Sequence, residues 1–331
     1  MQRRLFIHAG SLTAIAASLP IALPAHAQAY PSKTVRLVVP FAPGGPTDSF
    51  ARLYAEGLGR QLNQTVIVDN KAGASGAIGS LDVKNSTPDG YTLLFGTAST
   101  HALYDFVEPK PRYNSAEDFD YIAVLGGAPV AFAVSNAMPS SLKACFDLAR
   151  KEPGKLNYGS PGTGTLLHVA TERMLQVAGV SMRHIPYKGS GPAMQDLMGG
   201  NIQMAVGTLG GMLPLHKAGR MRLVGVASAK RLEELAPDIP TVAESAGFAE
   251  PFDAMLWHVV AVARNTPPAV RKTLADASRR AMEDASMKSN LATQGMFADL
   301  QIGDAAATAY VKAEAAKWKP VVAKLGDQLR Q

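Results

Sequence analysis

The chain has 331 residues, of which 47% are hydrophobic and 18% are charged, and its formal net charge is +6 at pH 7. This length exceeds what one hydrophobic core usually serves, so two lobes are expected. Lysine and arginine are scattered, in clusters no larger than pairs such as Lys230-Arg231 and Arg279-Arg280. A nucleic-acid-binding protein would concentrate them on one face, so the basic balance indicates a solvated surface and no nucleic-acid partner.

The N-terminus carries the features of an export signal. Arg3 and Arg4 precede an apolar stretch, and Ala25-His26-Ala27 supplies the small-x-small pattern that a signal peptidase reads. A retained membrane anchor is the alternative, but two prolines interrupt the stretch, and it falls short of the roughly 20 apolar residues that span a bilayer. We predict cleavage after Ala27 and a soluble periplasmic protein. The paired arginines leave export by the general or the twin-arginine route open.

In chain order, short β-branched runs alternate with helical patterns. The first part predicts strands at Val35–Val39, Val66–Val68 and Tyr91–Phe95, a helix over Asp48–Leu62, and a Gly-rich connection at Ala72–Ser80. The middle predicts helices at Ser141–Arg150 and Thr165–Val177, and strands at Leu156–Tyr158, His184–Tyr187, Ile202–Val206 and Leu223–Ala227. The last third predicts a strand at Trp257–Ala263 and helices starting at Pro268 and Asp304. This rhythm is typical of α/β lobes with mostly parallel sheets covered on both faces.

Three segments share one design, in which a strand ends, a Gly-rich polar loop turns and a helix begins. They are Pro40–Asp48, Gly159–Thr165 and, less regularly, Gly96–His101. Glycine lets the backbone approach a ligand closely, and the N–H groups at a helix N-terminus attract an anion. In parallel sheets such loops lie at the carboxyl ends of the strands, where ligands bind. One such loop can be purely structural, but two in different lobes, both with hydroxyl groups, favour an anion-binding cleft.

Several single residues keep two interpretations. Asp48 is predicted to cap the following helix, because a carboxylate beside an anionic ligand would repel it. His101 could make a local hydrogen bond or a ligand contact, and His168 fits a helix-start hydrogen bond better than a ligand contact. Trp257 could line the cleft, although an aromatic residue in a central strand more often belongs to the core. Cys145 has no partner for a disulfide within the chain and is expected to be buried in its helix.

No catalytic or metal-binding motif is present. Gly162-Thr163-Gly164 lacks the third glycine of a dinucleotide fingerprint, since Leu167 stands at that position. There is neither a P-loop nor a Gly-x-Ser-x-Gly elbow. His168 and His184 lack His or Cys partners at metal-ligand spacing. We therefore expect no cofactor, no metal and no enzyme activity.

Several segments along the mature chain look like the successive signatures of one family, in the right order: Pro40–Asp48 with Ala51-Arg52, Val68–Ala74, Pro88–Leu93, Pro153–Tyr158, Pro186–Gly189 and Ile239–Glu244. Through these segments the chain resembles the Bug-type family of periplasmic receptors associated with tripartite tricarboxylate transporters. The resemblance implies a type II periplasmic-binding-protein fold, with two α/β lobes around a ligand cleft. It also implies that backbone amides, hydroxyls and bridging waters from the loops matching Phe41–Gly45 and Ser160–Gly164 hold a ligand carboxylate.

Together, the residues and the resemblance predict a monomeric receptor for a small organic acid that delivers it to the membrane subunits of a secondary transporter. Lobe 1 is placed at residues 28–130 plus 252–331 and lobe 2 at 131–251, with hinged crossings near Val130 and Phe252 that close on the ligand. The predicted ligand contacts are Phe41, Pro43, Gly44, Gly45, Thr97, Ser99, His101, Ser160, Gly162, Thr163, Gly164, His168, Gly207, Thr208 and Trp257. A receptor that signals to a membrane sensor needs the same cleft, and an enzyme on the same scaffold is the remaining alternative.

The sequence departs from the family pattern in three places. Gly207-Thr208 stand where many relatives carry an acidic residue and an asparagine. His258-Val259 replace a frequent Phe-Gly, and Ala263-Arg264-Asn265 replace a Pro-Ala-Gly. These changes leave the fold expectation unaffected. They argue against transferring a ligand from a relative, especially an amino acid whose ammonium group needs an acidic partner.

Overall fold

The computed structural model describes residues 30–330, so the predicted export signal and its cleavage position lie outside the described residues. The strands are β1 (Val35–Val39), β2 (Val66–Asn70), β3 (Thr92–Thr97), β4 (Phe119–Val134), β5 (Asn157–Ser160), β6 (Arg183–Pro186), β7 (Met204–Thr208), β8 (Arg222–Val226), β9 (Met255–Ala263) and β10 (Gln301–Ile302). The helices are α1 (Pro46–Leu62), α2 (Ala77–Lys84), α3 (Tyr104–Val107), α4 (Leu142–Lys151), α5 (Leu166–Ala178), α6 (Ser190–Met198), α7 (Leu209–Lys217), α8 (Val242–Ala246), α9 (Pro268–Glu283), α10 (Ala285–Thr293) and α11 (Asp304–Leu325). Short 3-10 turns cover Ala74–Gly76 and Gly326–Arg330, and a π-helical turn covers Ser99–Leu103.

The strands form two sheet halves that share β4. The first half has the order β2-β1-β3-β9-β4, with β10 also paired to β4. In the second half the order continues through β4-β7-β5-β6, and β8 pairs with β4 as well. Three strands in each half run parallel, as the sequence pattern indicates, but β9 runs antiparallel to β3 and β4, and β4 runs antiparallel to β7 and β8. The expectation of parallel sheets is thus correct only for the outer strands.

The chain passes between the two halves at two adjacent points. Residues Phe119–Pro129 of β4 pair with β9, whereas Val130–Val134 pair with β7 and β8. On the return path, the Val130 amide donates to the Ala254 carbonyl, and the Ala254 amide donates to the Ala227 carbonyl. Both crossings are therefore ordered backbone joined by hydrogen bonds.

β4 was missing from the sequence prediction, although all 16 of its residues are buried. Gly126, Gly127 and Pro129 disguise it, because these residue types normally interrupt a strand. Gly126 has φ +91° at a register shift, and a Cβ on Gly127 would lie 1.9 Å from the Leu256 carbonyl oxygen. The glycines thus mark a close backbone contact with β9 rather than the end of the strand.

Most other predicted elements are confirmed within two or three residues. β1 has the predicted bounds, α9 buries Leu274, Ala277 and Ala281, and Cys145 is buried in α4. The Gly-rich connection at Ala72–Ser80 was predicted too long, because α2 already begins at Ala77. Among the helices of residues 30–330, none combines the length and the apolar composition that crossing a bilayer requires.

Candidate functional site

The first predicted loop, Pro40–Gly45, connects β1 to α1. α1 begins at Pro46, with Gly45 as its N-cap and proline at the first helical position, where a missing N–H costs nothing. Asp48 therefore lies inside the first turn, and its prediction as the cap is wrong. Its carboxylate instead accepts the Gly44 amide at 3.0 Å and the Asn70 side chain at 2.9 Å. Through these hydrogen bonds, a residue of α1 holds the first loop in place.

Arg52 neutralises the carboxylate of Asp48. Its guanidinium contacts both carboxylate oxygens at 3.0 Å in a bidentate arrangement. Burial would raise the pKa of Asp48, but hydrogen bonds from Arg52, Gly44 and Asn70 outweigh it and lower that pKa below its ordinary value. Arg52 thus pairs with Asp48 instead of facing a ligand, and the ion pair adds little net charge near the N-terminus of α1.

The second predicted loop, Pro161–Thr165, connects β5 to α5. Thr165 is the N-cap, and its hydroxyl accepts the amide of His168. The Gly164 amide donates to His168 Nδ1 at 2.9 Å, the Gly162 amide donates to Ser160 Oγ at 3.2 Å, and Ser160 Oγ lies 2.7 Å from His184 Nε2. The Gly162 and Gly164 amides are therefore held by side chains of their own sheet half.

His168 supports the second loop as a neutral ring. It is fully buried and stacks on His184 with ring centroids 3.9 Å apart. Burial and the neighbouring His184 lower the pKa of His168 to about 3. A neutral imidazole can accept the Gly164 amide at Nδ1, which a protonated ring cannot do.

The two loops meet across a small inner cavity. Its volume is about 20 Å³, which is room for about one water molecule. The residues lining it are Phe41, Ala42, Gly45, Pro46, Thr47, Ser99, Pro161, Leu167, Gly189, Ser190 and Leu256. None of these side chains is ionisable, so whatever binds here meets backbone amides, hydroxyls and apolar groups.

Helix N-termini from opposite sheet halves face each other at the inner cavity. A Cβ on Gly189, the N-cap of α6, would lie 3.5 Å from the Ala42 Cβ in the first loop. Near the start of α7, a Cβ on Gly211 would lie 2.4 Å from Cγ of Pro46. Each N-terminus carries unpaired amide groups and a partial positive charge, so the region favours an anion without using a charged side chain.

A second, outer cavity adjoins the first and shares Phe41 and Pro161 with it. It has a volume of about 310 Å³ and is open to solvent. Its remaining lining residues are Gly73, Ala74, Ser75, Gly76, Gly162, Thr163, Pro186, Tyr187 and Lys188. Lys188 is the one residue in this lining that carries an amine.

The structure divides the predicted contact residues into two groups. Phe41, Gly45 and Ser99 line the inner cavity, and Gly162 and Thr163 line the outer one. Gly164 lines a third cavity of about 280 Å³ together with Ser99 and Thr163. Pro43 and Gly44 belong to the first loop but do not line these cavities.

The other predicted residues lie deeper. His101 is enclosed by the rings of Tyr113, Phe119 and Tyr121, and its Nδ1 lies 2.8 Å from Thr100 Oγ1, which supports the local alternative. Trp257 is fully buried, and its indole N–H donates to Glu314 Oε2 at 3.0 Å.

Thr97 and Thr208 end β3 and β7, and Gly207 precedes Thr208. The Thr97 and Thr208 hydroxyls are buried without a hydrogen-bond partner within residues 30–330. Buried hydroxyls normally have partners, so both remain candidates for polar contacts to a ligand.

Sequence reasoning missed Thr47 and the Gly189-Ser190 pair. The second could have been found, because Pro186–Gly189 ends a strand and precedes a helix in the same way as the two predicted loops. Thr47 lay within the predicted loop Pro40–Asp48 but was not among the predicted contacts. Its Oγ1 lies 3.3 Å from Nε2 of the buried His258, one of the departures from the family pattern. Within the described residues, no group of three or more His, Cys, Asp or Glu side chains is placed to hold a metal ion.

Comparison with known proteins gives a consistent result. Residues 50–327 match the family model described as the tripartite tricarboxylate transporter family receptor. Protein BugT of Bordetella pertussis is 31% identical over 316 residues, which cover 95% of this chain and 96% of BugT.

Solved structures show the same fold. MatC from Rhodopseudomonas palustris with bound malate superposes with a TM-score of 0.83 at 28% identity, over 88% of this chain and 100% of MatC. A protein of R. palustris solved with adipate superposes with a TM-score of 0.84 at 32% identity, over 89% of this chain and 97% of that protein. The family match and the two-part α/β architecture around a neutral cavity agree with the sequence resemblance. The chain belongs to the receptor family of the tripartite tricarboxylate transporters and is a solute-binding receptor.

Proposed function

We propose that this receptor binds a small organic acid in the periplasm and delivers it to the membrane subunits of a tripartite tricarboxylate transporter. The observation that carries the proposal is the inner cavity, which has no ionisable lining and lies between the N-termini of α1 and α6. Such a site stabilises a carboxylate through amide dipoles. The malate and adipate in the two similar structures support an acid as ligand.

The amides available for this carboxylate differ from the set expected from the sequence. The Gly44, Gly162 and Gly164 amides already donate to side chains of their own loops. We assign the contact to the first amides of α1 and α6 and to the hydroxyls of Thr47, Ser99 and Ser190, which line the cavity. Thr97 and Thr208 are proposed as further donors. A bridging water can complete the set at little cost.

We propose that the protein binds its ligand without reacting with it, because the matching family model describes receptors. We propose lobe 1 as residues 28–130 plus 252–331 and lobe 2 as residues 131–251, acting as a monomer. The crossings at Val130 and Ala254 would serve as the hinge. The inner cavity holds about one water molecule, so we propose that the lobes separate to admit the acid and then close around it.

A charged and a neutral ligand of nearly the same shape test the site. We expect succinate, malate or adipate to raise the thermal unfolding midpoint, since a ligand bound only to the folded state stabilises it. The uncharged diamide succinamide should have no effect. Stabilisation by succinamide equal to that by succinate would contradict an anion site, and failure of all small carboxylates would contradict the proposed ligand class.

Small-angle scattering tests the closure. We expect the ligand-free protein to populate both open and closed forms, and the radius of gyration in solution to fall when a stabilising acid is added to saturation, because the ligand joins loops of both lobes and converts the open fraction to the closed form. Succinamide at the same concentration is the control. Identical scattering curves with and without the acid would contradict a hinged closure.

A further inference from the structure

The turn Gly73–Gly76 has an unusual backbone. Four consecutive residues have positive φ: Gly73 at +130°, Ala74 at +46°, Ser75 at +53° and Gly76 at +98°. A positive φ is costly for residues with a side chain, so Ala74 and Ser75 hold a strained conformation. Such strain persists only where the surrounding structure imposes it.

The two glycines at the ends of the turn explain how the strain is held. A Cβ on Gly76 would lie 2.5 Å from Thr100 Cγ2 and 3.3 Å from Cζ of Phe41. A Cβ on Gly73 would lie 2.6 Å from Cδ1 of Ile78. The turn is therefore packed closely against Phe41 of the first loop, Thr100 and Ile78 of α2.

The residue at that middle reaches the other lobe. Ser75 Oγ donates to the Thr163 carbonyl at 2.5 Å, although the two residues are 88 positions apart. A Cβ on Gly162 would lie only 2.9 Å from the same hydroxyl. Both partners line the outer cavity and the third cavity, and the bond is exposed to solvent.

Building on the proposed function, we propose that Ser75 is a positioning residue that latches the two lobes closed over the ligand. Two further hydrogen bonds cross the same interface, from the Ala42 amide to the Lys188 carbonyl at 3.2 Å and from the Leu166 amide to Ser99 Oγ at 2.9 Å. The Ser75 bond differs from them in position, because it lies at the outer edge rather than beside the inner cavity. Opening the cleft must break it.

The two other bonds supply a direct readout that needs no ligand. Amide hydrogen exchange at Ala42 and Leu166 requires the lobes to separate, since their acceptors lie across the interface. The Gly44 amide, whose acceptor lies within its own lobe, is the internal reference. If the latch exists, removing it raises exchange only at Ala42 and Leu166.

The experiment compares exchange, measured by NMR on the ligand-free protein, in the wild type, Ser75→Ala and Ser75→Gly. Losing one hydrogen bond should raise exchange at Ala42 and Leu166 about 2- to 12-fold in both variants. Ser86→Ala is the matched control, because Ser86 Oγ donates to the Val83 carbonyl within one lobe at 2.7 Å. It should leave both amides unchanged.

Two outcomes would overturn the latch. One is unchanged exchange at Ala42 and Leu166 in Ser75→Ala. The other is a rise in Ser75→Ala but not in Ser75→Gly, which would assign the effect to backbone strain instead of the hydroxyl. Because exchange is read without a ligand, these outcomes remain distinct from a failure of the proposed carboxylate binding.

Discussion

At the scale of single residues, Gly45 tests the site most directly. It has an extended backbone, and the nearest atom to an added Cβ is the Ala42 carbonyl oxygen at 3.9 Å, so a side chain can be added without strain. It also lines the inner cavity. We expect Gly45→Ala to weaken acid binding about 10-fold, or ~1.4 kcal/mol, and Gly45→Val to abolish measurable binding. Calorimetric titration measures both.

Gly164 shows why the corresponding change in the second loop is a poor test. Its φ is +75°, and a Cβ would lie 2.3 Å from Cγ1 of Val107. We therefore expect Gly164→Val to disturb the fold as well as the site. Circular dichroism should be unchanged for the Gly45 variants, and the unfolding midpoint should fall only slightly, because alanine and valine cap a helix less well than glycine. Normal acid binding by folded Gly45→Val would contradict the assignment of the carboxylate to the N-terminus of α1.

At the scale of elements, the first turn of α1 depends on Asp48. Its carboxylate satisfies the Gly44 amide, Asn70 and Arg52, and it is 4% exposed. Asp48→Ala leaves these donors without their acceptor, so we expect a loss of about 1–3 kcal/mol in the free energy of unfolding. Acid binding should weaken as well, because the first loop loses its anchor. Urea denaturation and calorimetry give the two quantities.

Glu56 on the same helix provides the control. It pairs with Arg60 at 2.6 Å, but both side chains are at least half exposed. Exposed pairs of this kind contribute little, so Glu56→Ala should cost less than about 0.5 kcal/mol and leave binding intact. Equal losses in the two variants would show that Asp48 has no special role in shaping the loop.

At the scale of the whole molecule, buried histidines predict a pH dependence of stability. Burial lowers the pKa of His101 to about 3 and that of His258 to about 4, and burial together with His184 lowers that of His168 to about 3. In the unfolded chain a histidine titrates near 6.5, so the unfolded state binds more protons below that pH. The stabilisation is therefore complete above about pH 6.5 and is lost as the pH falls toward the folded-state values.

The expected loss between pH 7 and pH 5 is up to about 2 kcal/mol for each of these histidines. Urea denaturation at both pH values measures it. In His101→Gln, the difference in the free energy of unfolding between pH 7 and pH 5 should be smaller by the contribution of one histidine. This holds whatever the absolute stability of the variant. Equal unfolding free energies of the wild type at pH 7 and pH 5 would contradict the buried neutral rings.

The architecture, two of the ligand-site turns and the family could be predicted from the sequence alone. Alternating β-branched runs and helical patterns give the α/β architecture, because each element must bury one apolar face. The turns before α1 and α5 were predicted because glycine, hydroxyl residues and a following helical pattern occur together locally. Family membership follows from ordered signatures along the chain and needs no coordinates.

The tertiary structure decided what depends on residues distant in sequence. β4 could not be read locally, because its glycines are explained only by the approach of β9, more than 120 positions away. The Gly44, Gly162 and Gly164 amides are taken by side chains whose orientation only packing fixes. The contribution of α6 to the inner cavity and the bond from Ser75 to Thr163 exist because two lobes meet. Local propensity specifies elements, whereas the partners of a buried polar group are set by which elements the folded chain brings together.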